Sequence, residues 1–186
     1  FSSHKLGGPM GVGALAFRDD GLHLESPMLR GGGQEFGRRA GTENIPGIAG
    51  FAAALTEAAA GVASEVPRLA DLRDALERRV LKIAPDARFY GVGAPRAPNA
   101  SAFAIPGLAA RTLLMALDLE SVALSAGSAC SSGKMTESHV LAAMGATEKE
   151  ALRASFGWSS TQEDVEEFGK VLARVVARMR SRHSAA

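Results

Sequence analysis

From Pro46 onward the apolar side chains fall on a helical period. Ile48, Phe51, Leu55, Ala59 and Val62 recur three or four residues apart, as does one face of an α-helix. Gly61 and Pro67 interrupt the run, and Val66, Leu69, Leu72, Leu76, Val80 and Ile83 then carry the stripe on. Ser64 is placed to cap a new helix with Pro67 in its first turn. The pattern predicts two helices, or one kinked helix, over residues 46–84. Ahead of it, a Gly/Pro-rich stretch leads into the strand-like Ala14-Leu15-Ala16-Phe17.

Behind the helical stretch the period alternates. Arg88–Val92 and Ser101–Ile105 read as strands bounded by Pro and Gly. Ala110, Leu113, Leu114 and Leu117 predict a helix, and Val122–Leu124 a short strand. Ser138 caps a helix running through Met144. In Ala151–Phe156, Leu152, Ala154 and Phe156 share one face, with Arg153 and Ser155 on the other. Thr161-Gln162-Glu163-Asp164 resembles a capping box and opens a helix striped with Val165, Phe168, Leu172, Val175 and Met179. Arg174, Arg178, Arg180 and Arg182 lie late in that helix, where cations suit its dipole, and read as a solvated face.

Composition narrows the class of protein. Apolar residues make up 46% and charged residues 22%, ordinary for a chain able to build a core. The 186 residues allow one domain, or one and a fraction. A net charge of +1 gives no electrostatic case for nucleic acid or an anionic membrane, and one Tyr and one Trp leave little for base stacking. No uninterrupted apolar run reaches membrane-spanning length. The single cysteine excludes an internal disulfide and is compatible with the reducing cytoplasm. The four histidines are scattered without ligand spacing, so no metal site is expected. Phe1 opens the chain with a motif already under way, which predicts the C-terminal part of something longer.

Four stretches carry candidate chemistry. Cys130 lies in Ser125-Ala126-Gly127-Ser128-Ala129-Cys130-Ser131-Ser132-Gly133, where every neighbour is small or hydroxylated. A lone Cys is commonly an inert core residue, but these neighbours offer little to bury it. A loop position for a reactive thiol follows. Ser2-Ser3-His4-Lys5-Leu6-Gly7-Gly8-Pro9 reads plainly as a turn with a solvated lysine, or else as an amine held near an electrophile. Gly31-Gly32-Gly33-Gln34-Glu35 with Arg38, Arg39, Gly41 and Thr42 reads as a surface loop, or as backbone N–H groups and a hydroxyl facing an anion. Arg153 is either a strand residue pointing to water or a guanidinium fork for a carboxylate. His139, nine residues after Cys130, sits in the first turn of a helix and is left out of the site.

The run from Asp118 to Gly145 resembles the active-site loop of cysteine desulfurases of the NifS/IscS type, pyridoxal-phosphate (PLP) enzymes that take sulfur from L-cysteine. Ser125 to Gly133, Ser138-His139-Val140-Leu141 and Ala143-Met144-Gly145 carry the likeness. The shorter loop of the related selenocysteine lyases does not match. The resemblance extends to Ser-x-His-Lys before the glycines, to Gly-Gly-Gly-Gln-Glu with Arg-x-Gly-Thr, and to Leu152-Arg153-Ala154-Ser155-Phe156-Gly157. It implies the α/β PLP-dependent transferase fold type I, aspartate-aminotransferase-like. Residues 1–60 would end the large domain, 61–84 would connect, and 85–186 would form the small C-terminal domain.

It also implies roles. Lys5 would form the Schiff base with PLP and later shuttle a proton, while Ser2 and His4 hold the cofactor phosphate. Thr42 would reach the phosphate of the other subunit of a homodimer. Arg153 would hold the substrate carboxylate, and Cys130 would take the sulfur as a persulfide and pass it to an iron–sulfur scaffold or other acceptor. The aspartate under the pyridine nitrogen and the histidine that stacks on the ring would lie upstream of Phe1. Ala102 and Ser121 depart from the pattern, standing where Asn and Gly are expected. Two other classes stay open: a PLP-independent thiol, redox or sulfur-carrier protein, and an inactive fragment acting as an interaction module.

Overall fold

A computed structural model describes residues 1–18, 26–126 and 138–184, and the chain divides into two compact units, Phe1–Ala63 and Ser64–Ala186. The first unit opens with a short 3-10 helix, Ser3–Leu6, closed by Gly7 in the left-handed region at φ 85°. Residues on either side of this turn approach each other antiparallel: Ser3 N–H donates to Val12 (3.1 Å) and Ala14 N–H to Phe1 (3.0 Å). They make one isolated bridge, Ser2 with Gly13, and the strand expected at Ala14–Phe17 does not form. Period alone cannot supply a strand with a partner, and no neighbouring strand lies alongside among the described residues.

Helix α1, Ile45–Ile83, is a single 39-residue element, so of the two alternatives left open by the periodicity the one-helix form holds. The Asn44 side chain caps its start by accepting the Gly47 N–H (3.1 Å). Pro67 lies inside α1. Its missing N–H leaves the Ala63 carbonyl without its usual helical donor, at the residue where the two units divide. The apolar stripe divides there too. Leu72, Leu76 and Val80 are buried, whereas Ile48, Leu55, Val62 and Val66 are half exposed. Among the described residues Phe51 is the one buried hydrophobic side chain of the first unit. Part of α1 is long and apolar enough to cross a membrane by length and composition alone, with mean hydropathy 1.4. Reading uninterrupted runs missed this, because Thr56 and Glu57 break a stretch otherwise rich in Ala and Gly.

The second unit is a four-stranded antiparallel sheet packed on helices. Strands β1 (Arg88–Phe89), β2 (Ala100–Ala104), β3 (Ser125–Ala126) and β4 (Leu152–Ser155) stand in the order β1-β2-β4-β3. Helix α2 (Ala110–Asp118) precedes β3, and α3 (His139–Ala143) precedes β4. Helix α4 (Gln162–Ser184) closes the chain. The strand expected at Val122–Leu124 is displaced to Ser125–Ala126, because the α2 exit turn occupies the residues before it.

The core joins Leu72, Leu76 and Val80 of α1 to Leu113 and Leu117 of α2, and to Val165, Phe168, Leu172 and Val175 of α4. Phe103, Leu152 and Ala154 meet them from the sheet. The predicted caps form: Ser138 accepts the Leu141 N–H (3.3 Å), and Thr161 and Asp164 exchange hydrogen bonds (2.8 and 3.3 Å). The α4 arginines are more than a solvated face. Arg174 and Arg178 bond Glu120, and Arg180 holds Asp86 with two bonds (2.6 and 2.9 Å). That last pair keeps the Asp86 carboxyl below its ordinary range.

Candidate functional site

Alternation along β4 decides what Arg153 can do. Leu152 and Ala154 point into the core, and Arg153 and Ser155 point out. Register places Ala102 of β2 opposite Arg153 on one side and Ser125 of β3 on the other. All three lie on the outer face, where both of Arg153's neighbours are small. The Ser125 hydroxyl is engaged with the Arg153 carbonyl (3.3 Å). Among the described residues no carboxylate pairs with the Arg153 guanidinium. Its two-pronged donor edge is therefore available to a carboxylate from outside. The departure at position 102 falls at this spot, so an alanine borders Arg153 where the resemblance implies an asparagine.

The strand beside Arg153 leads to the thiol. Residue Gly127 follows β3 directly, and Cys130 lies outside the described residues, as does the loop predicted for it. Both flanks of that segment are secured. Ser125–Ala126 pairs with β4, and Ser138 both caps α3 and donates its N–H to Lys149 (3.1 Å). The sheet and α3 thus hold the two ends of the segment that contains the cysteine.

Lys5, His4, Ser2 and Thr42 belong to the first unit, and Arg153 to the second. Lys5 and His4 are exposed on the 3-10 helix, and the Ser2 hydroxyl lies 3.1 Å from His4 Nδ1. Lys5 has no ion-pair partner among the described residues. A hydroxyl and an imidazole beside an unpaired primary amine suit a phosphorylated aldehyde, the first two for its phosphate and the amine for its carbonyl. The chemistry of this donor set fits PLP.

Thr42 is exposed and lines a cavity of about 740 Å³ within the first unit, bordered also by Gly11, Gly13, Arg38 and Arg39. Ser2, His4 and Lys5 do not line it. The sequence left this stretch as either a surface loop or an anion-facing one and gave neither arginine a role of its own. Arg39 in fact donates to the Ala40 and Gly41 carbonyls (3.0 and 2.8 Å), shaping the turn that carries Thr42. The Arg38 guanidinium stands 6.0 Å from the rings of Phe17 and Phe36. Glu35 and Phe36 are both left-handed (φ 55° and 59°), and Phe36 is almost wholly exposed. Two non-glycine residues in a row are thus held in the left-handed region, which costs backbone strain.

The sequence profile described as aminotransferase class-V matches residues 1–168. The chain is 39% identical over 183 residues to a cysteine desulfurase IscS of Dictyoglomus turgidum, covering 97% of this chain and 46% of that protein. It is 40% identical over 183 residues to a cysteine desulfurase of Cereibacter sphaeroides, with 97% and 46% covered. Among solved structures, a NifS-like protein superposes with TM-score 0.78 at 30% identity, over 95% of this chain and 45% of its own. The Escherichia coli cysteine desulfurase CsdA, crystallised as its S-sulfonic acid, gives TM-score 0.71 at 26% identity, again over 95% and 45%. The chain spans about half the length of the relatives it matches.

Proposed function

Since the chain belongs to the class-V aminotransferase family, whose members are PLP-dependent, we propose that the protein is a cysteine desulfurase. It converts L-cysteine to L-alanine and carries the sulfur away as a persulfide on Cys130. The expected fold type I, aspartate-aminotransferase-like, stands with the family and its structural neighbours, and the sheet of the second unit is its antiparallel part.

One observation carries the reading. Arg153, without a carboxylate of its own, flanks the strand that runs straight into the cysteine segment. Cys130 is four residues beyond Ala126, and an extended chain of that length spans at most about 14 Å. The thiol is therefore tethered close to the strand pair that presents Arg153, where a substrate would be held through its carboxylate.

Bound PLP supplies an electron sink that weakens the C–S bond of the substrate. Lys5 would anchor the cofactor through its amine and move the proton at the substrate α-carbon. Ser2 and His4 would face the phosphate. Arg153 would orient the amino acid by two parallel charge-assisted bonds, each worth roughly 1.5–3 kcal/mol. Cys130, as thiolate, attacks the substrate sulfur. An S–S bond forms, the C–S bond breaks with its electron pair left on the carbon fragment, and protonation of that fragment gives alanine.

Thr42 would serve the second active site of a homodimer. The exposed apolar side chains of the first unit, Met10, Leu15, Met28 and Phe36 among them, support a surface that meets more protein. The sulfur would go to an iron–sulfur scaffold or another acceptor protein in the cytoplasm, with neither nucleic acid nor membrane as partner.

The test is mass spectrometry of the full-length protein after one turnover with L-cysteine. A gain of one sulfur on the Cys130 peptide, and no alanine from Cys130→Ser, is the expected result. Normal alanine production by Cys130→Ser with no persulfide anywhere would overturn the assignment.

A further inference from the structure

Arg68, near the start of the second unit's part of α1, makes five hydrogen bonds. Two go to Glu65, from Nε to Oε1 (2.9 Å) and from Nη2 to Oε2 (2.7 Å). The other three cross to one turn about ninety residues away: Nη1 to the Ser160 carbonyl (2.7 Å), and Nη2 to the carbonyls of Gly157 and Trp158 (3.2 Å each). The turn closes on itself as well, through Ser160 N–H to the Gly157 carbonyl (3.1 Å) and Gly157 N–H to the Ser160 hydroxyl (2.9 Å). Three backbone carbonyls thus converge on one guanidinium, which the Glu65 carboxylate holds in plane.

The side chains of Arg68 and Glu65 are 35% and 40% exposed, and ion pairs at that exposure add little. The place of the turn is more informative. It follows β4 directly, four residues after Arg153, and β4 itself is only four residues long. On one side β4 is paired only at Leu152 and Arg153, by the two residues of β3, and on the other β2 pairs all four of its residues. Beyond Ser155, Phe156 N–H holds the Asn99 carbonyl (2.8 Å), and the next anchor along the chain is Arg68. Beyond Arg153 the strand is therefore held from one side only, and Arg153 sits two residues from its end.

We propose that Arg68 is a positioning residue for substrate binding: it pins the 157–160 turn and so fixes the strand end that presents Arg153 to the amino-acid carboxylate. The assignment rests on the desulfurase reading. Five bonds from one rigid guanidinium exceed the three donors of an ammonium, so lysine is an incomplete replacement despite its charge. Glu65 acts through Arg68 by orienting it, and the hydrogen bond from Arg68 keeps the Glu65 carboxyl below its ordinary range.

The experiment compares wild type, Arg68→Met, Arg68→Lys and Glu65→Gln as full-length PLP-loaded protein, by steady-state kinetics and by hydrogen exchange of peptides over residues 152–164. Arg68→Met is expected to speed exchange at Gly157 and Ser160. It should raise KM for L-cysteine about tenfold, the order set by losing one of Arg153's charge-assisted bonds, while kcat stays within about twofold. Lys at position 68 should fall between, and Glu65→Gln should shift both readouts less but in the same direction. The Glu65 variant keeps the question open to refutation if Arg68→Met fails to fold. Unchanged exchange in the variants, or faster exchange with unchanged KM, overturns the proposal while leaving the desulfurase reading intact. A wild-type protein that makes no alanine from L-cysteine overturns the desulfurase reading, and the positioning role falls with it.

Discussion

Ser121 is the residue whose replacement should stabilise the protein most simply. Helix α2 does not merely stop at Asp118; it closes in a turn where Ser121 N–H donates to Asp118 (2.9 Å) and Val122 N–H to Leu117 (3.0 Å). These are the 5→2 and 6→1 bonds of a Schellman motif, which demands a left-handed residue at the position Ser121 occupies. Its φ is 63°. Val122 completes the motif by packing on the core cluster that includes Leu117. A side chain in this conformation costs roughly 1–2 kcal/mol, which glycine escapes. Glycine gives back roughly 0.5–1 kcal/mol through the greater freedom of its unfolded chain. The Ser121 side chain is exposed and makes no hydrogen bond among the described residues, so nothing else is lost. Ser121→Gly should therefore stabilise the second unit by about 0.5–1 kcal/mol. Urea denaturation reads this as a higher midpoint at unchanged slope. Ser121→Val, β-branched at a left-handed site, should lower the midpoint. A glycine variant no more stable than wild type, or equal to the valine variant, would show that this turn carries no strain.

Two further outcomes follow from polar groups inside the units. Burial first, and then its hydrogen bond to Glu148 (2.9 Å), push the Tyr90 phenol from about 10 up to about 12. The neutral phenol is thus the favoured form in the folded state, so its contribution to stability is complete below pH 10 and disappears as pH climbs toward about 12. The phenolate absorbance lost in Tyr90→Phe should titrate near 12, and Glu148→Gln should bring that midpoint down; a wild-type midpoint at 10 would refute the packing described. Ser3 is wholly buried, with a hydroxyl that has no hydrogen-bond partner among the described residues and sits against Gly8. An unmade buried hydrogen bond costs roughly 1–3 kcal/mol, so Ser3→Ala should leave the thermal midpoint unchanged or raise it, and a clear drop would reveal a partner for that hydroxyl.

The elements of the second unit were legible because each is amphipathic within one core. Leu72, Leu76 and Val80, spaced by four, are buried together, and Leu152 and Ala154 alternate with exposed Arg153 and Ser155. Where the sequence misled, a partner was missing from the pattern. Ala14–Phe17 alternates plausibly but finds no strand to pair with. Pro67 left one helix or two open, and the single helix forms because the apolar stripe continues on both sides of it. The arginines of α4 looked solvated because Glu120 and Asp86 lie more than fifty residues away in sequence.

The same pairing separates Arg153 from seven arginines of the second unit. Arg68, Arg73, Arg88, Arg96, Arg174, Arg178 and Arg180 each have a carboxylate within 3.4 Å. Seven arginines are thus engaged within the chain, whereas Arg153, like Arg78, Arg79 and Arg111, has no carboxylate partner among the described residues. Sequence could name Arg153 through its flanking Ser155 and Gly157, but not say whether an acidic neighbour had already claimed it. Glu77 illustrates the difference. Its carboxylate accepts from Arg96 (2.7 Å) and from buried Ser101 (2.7 Å), satisfying a guanidinium that would otherwise have been as plausible a carboxylate site as Arg153. Ser101 and Arg153 lie one register step apart on opposite faces of the sheet. One face spends its charges on holding loops to α1, while the other keeps a cation free beside the strand that leads to the cysteine.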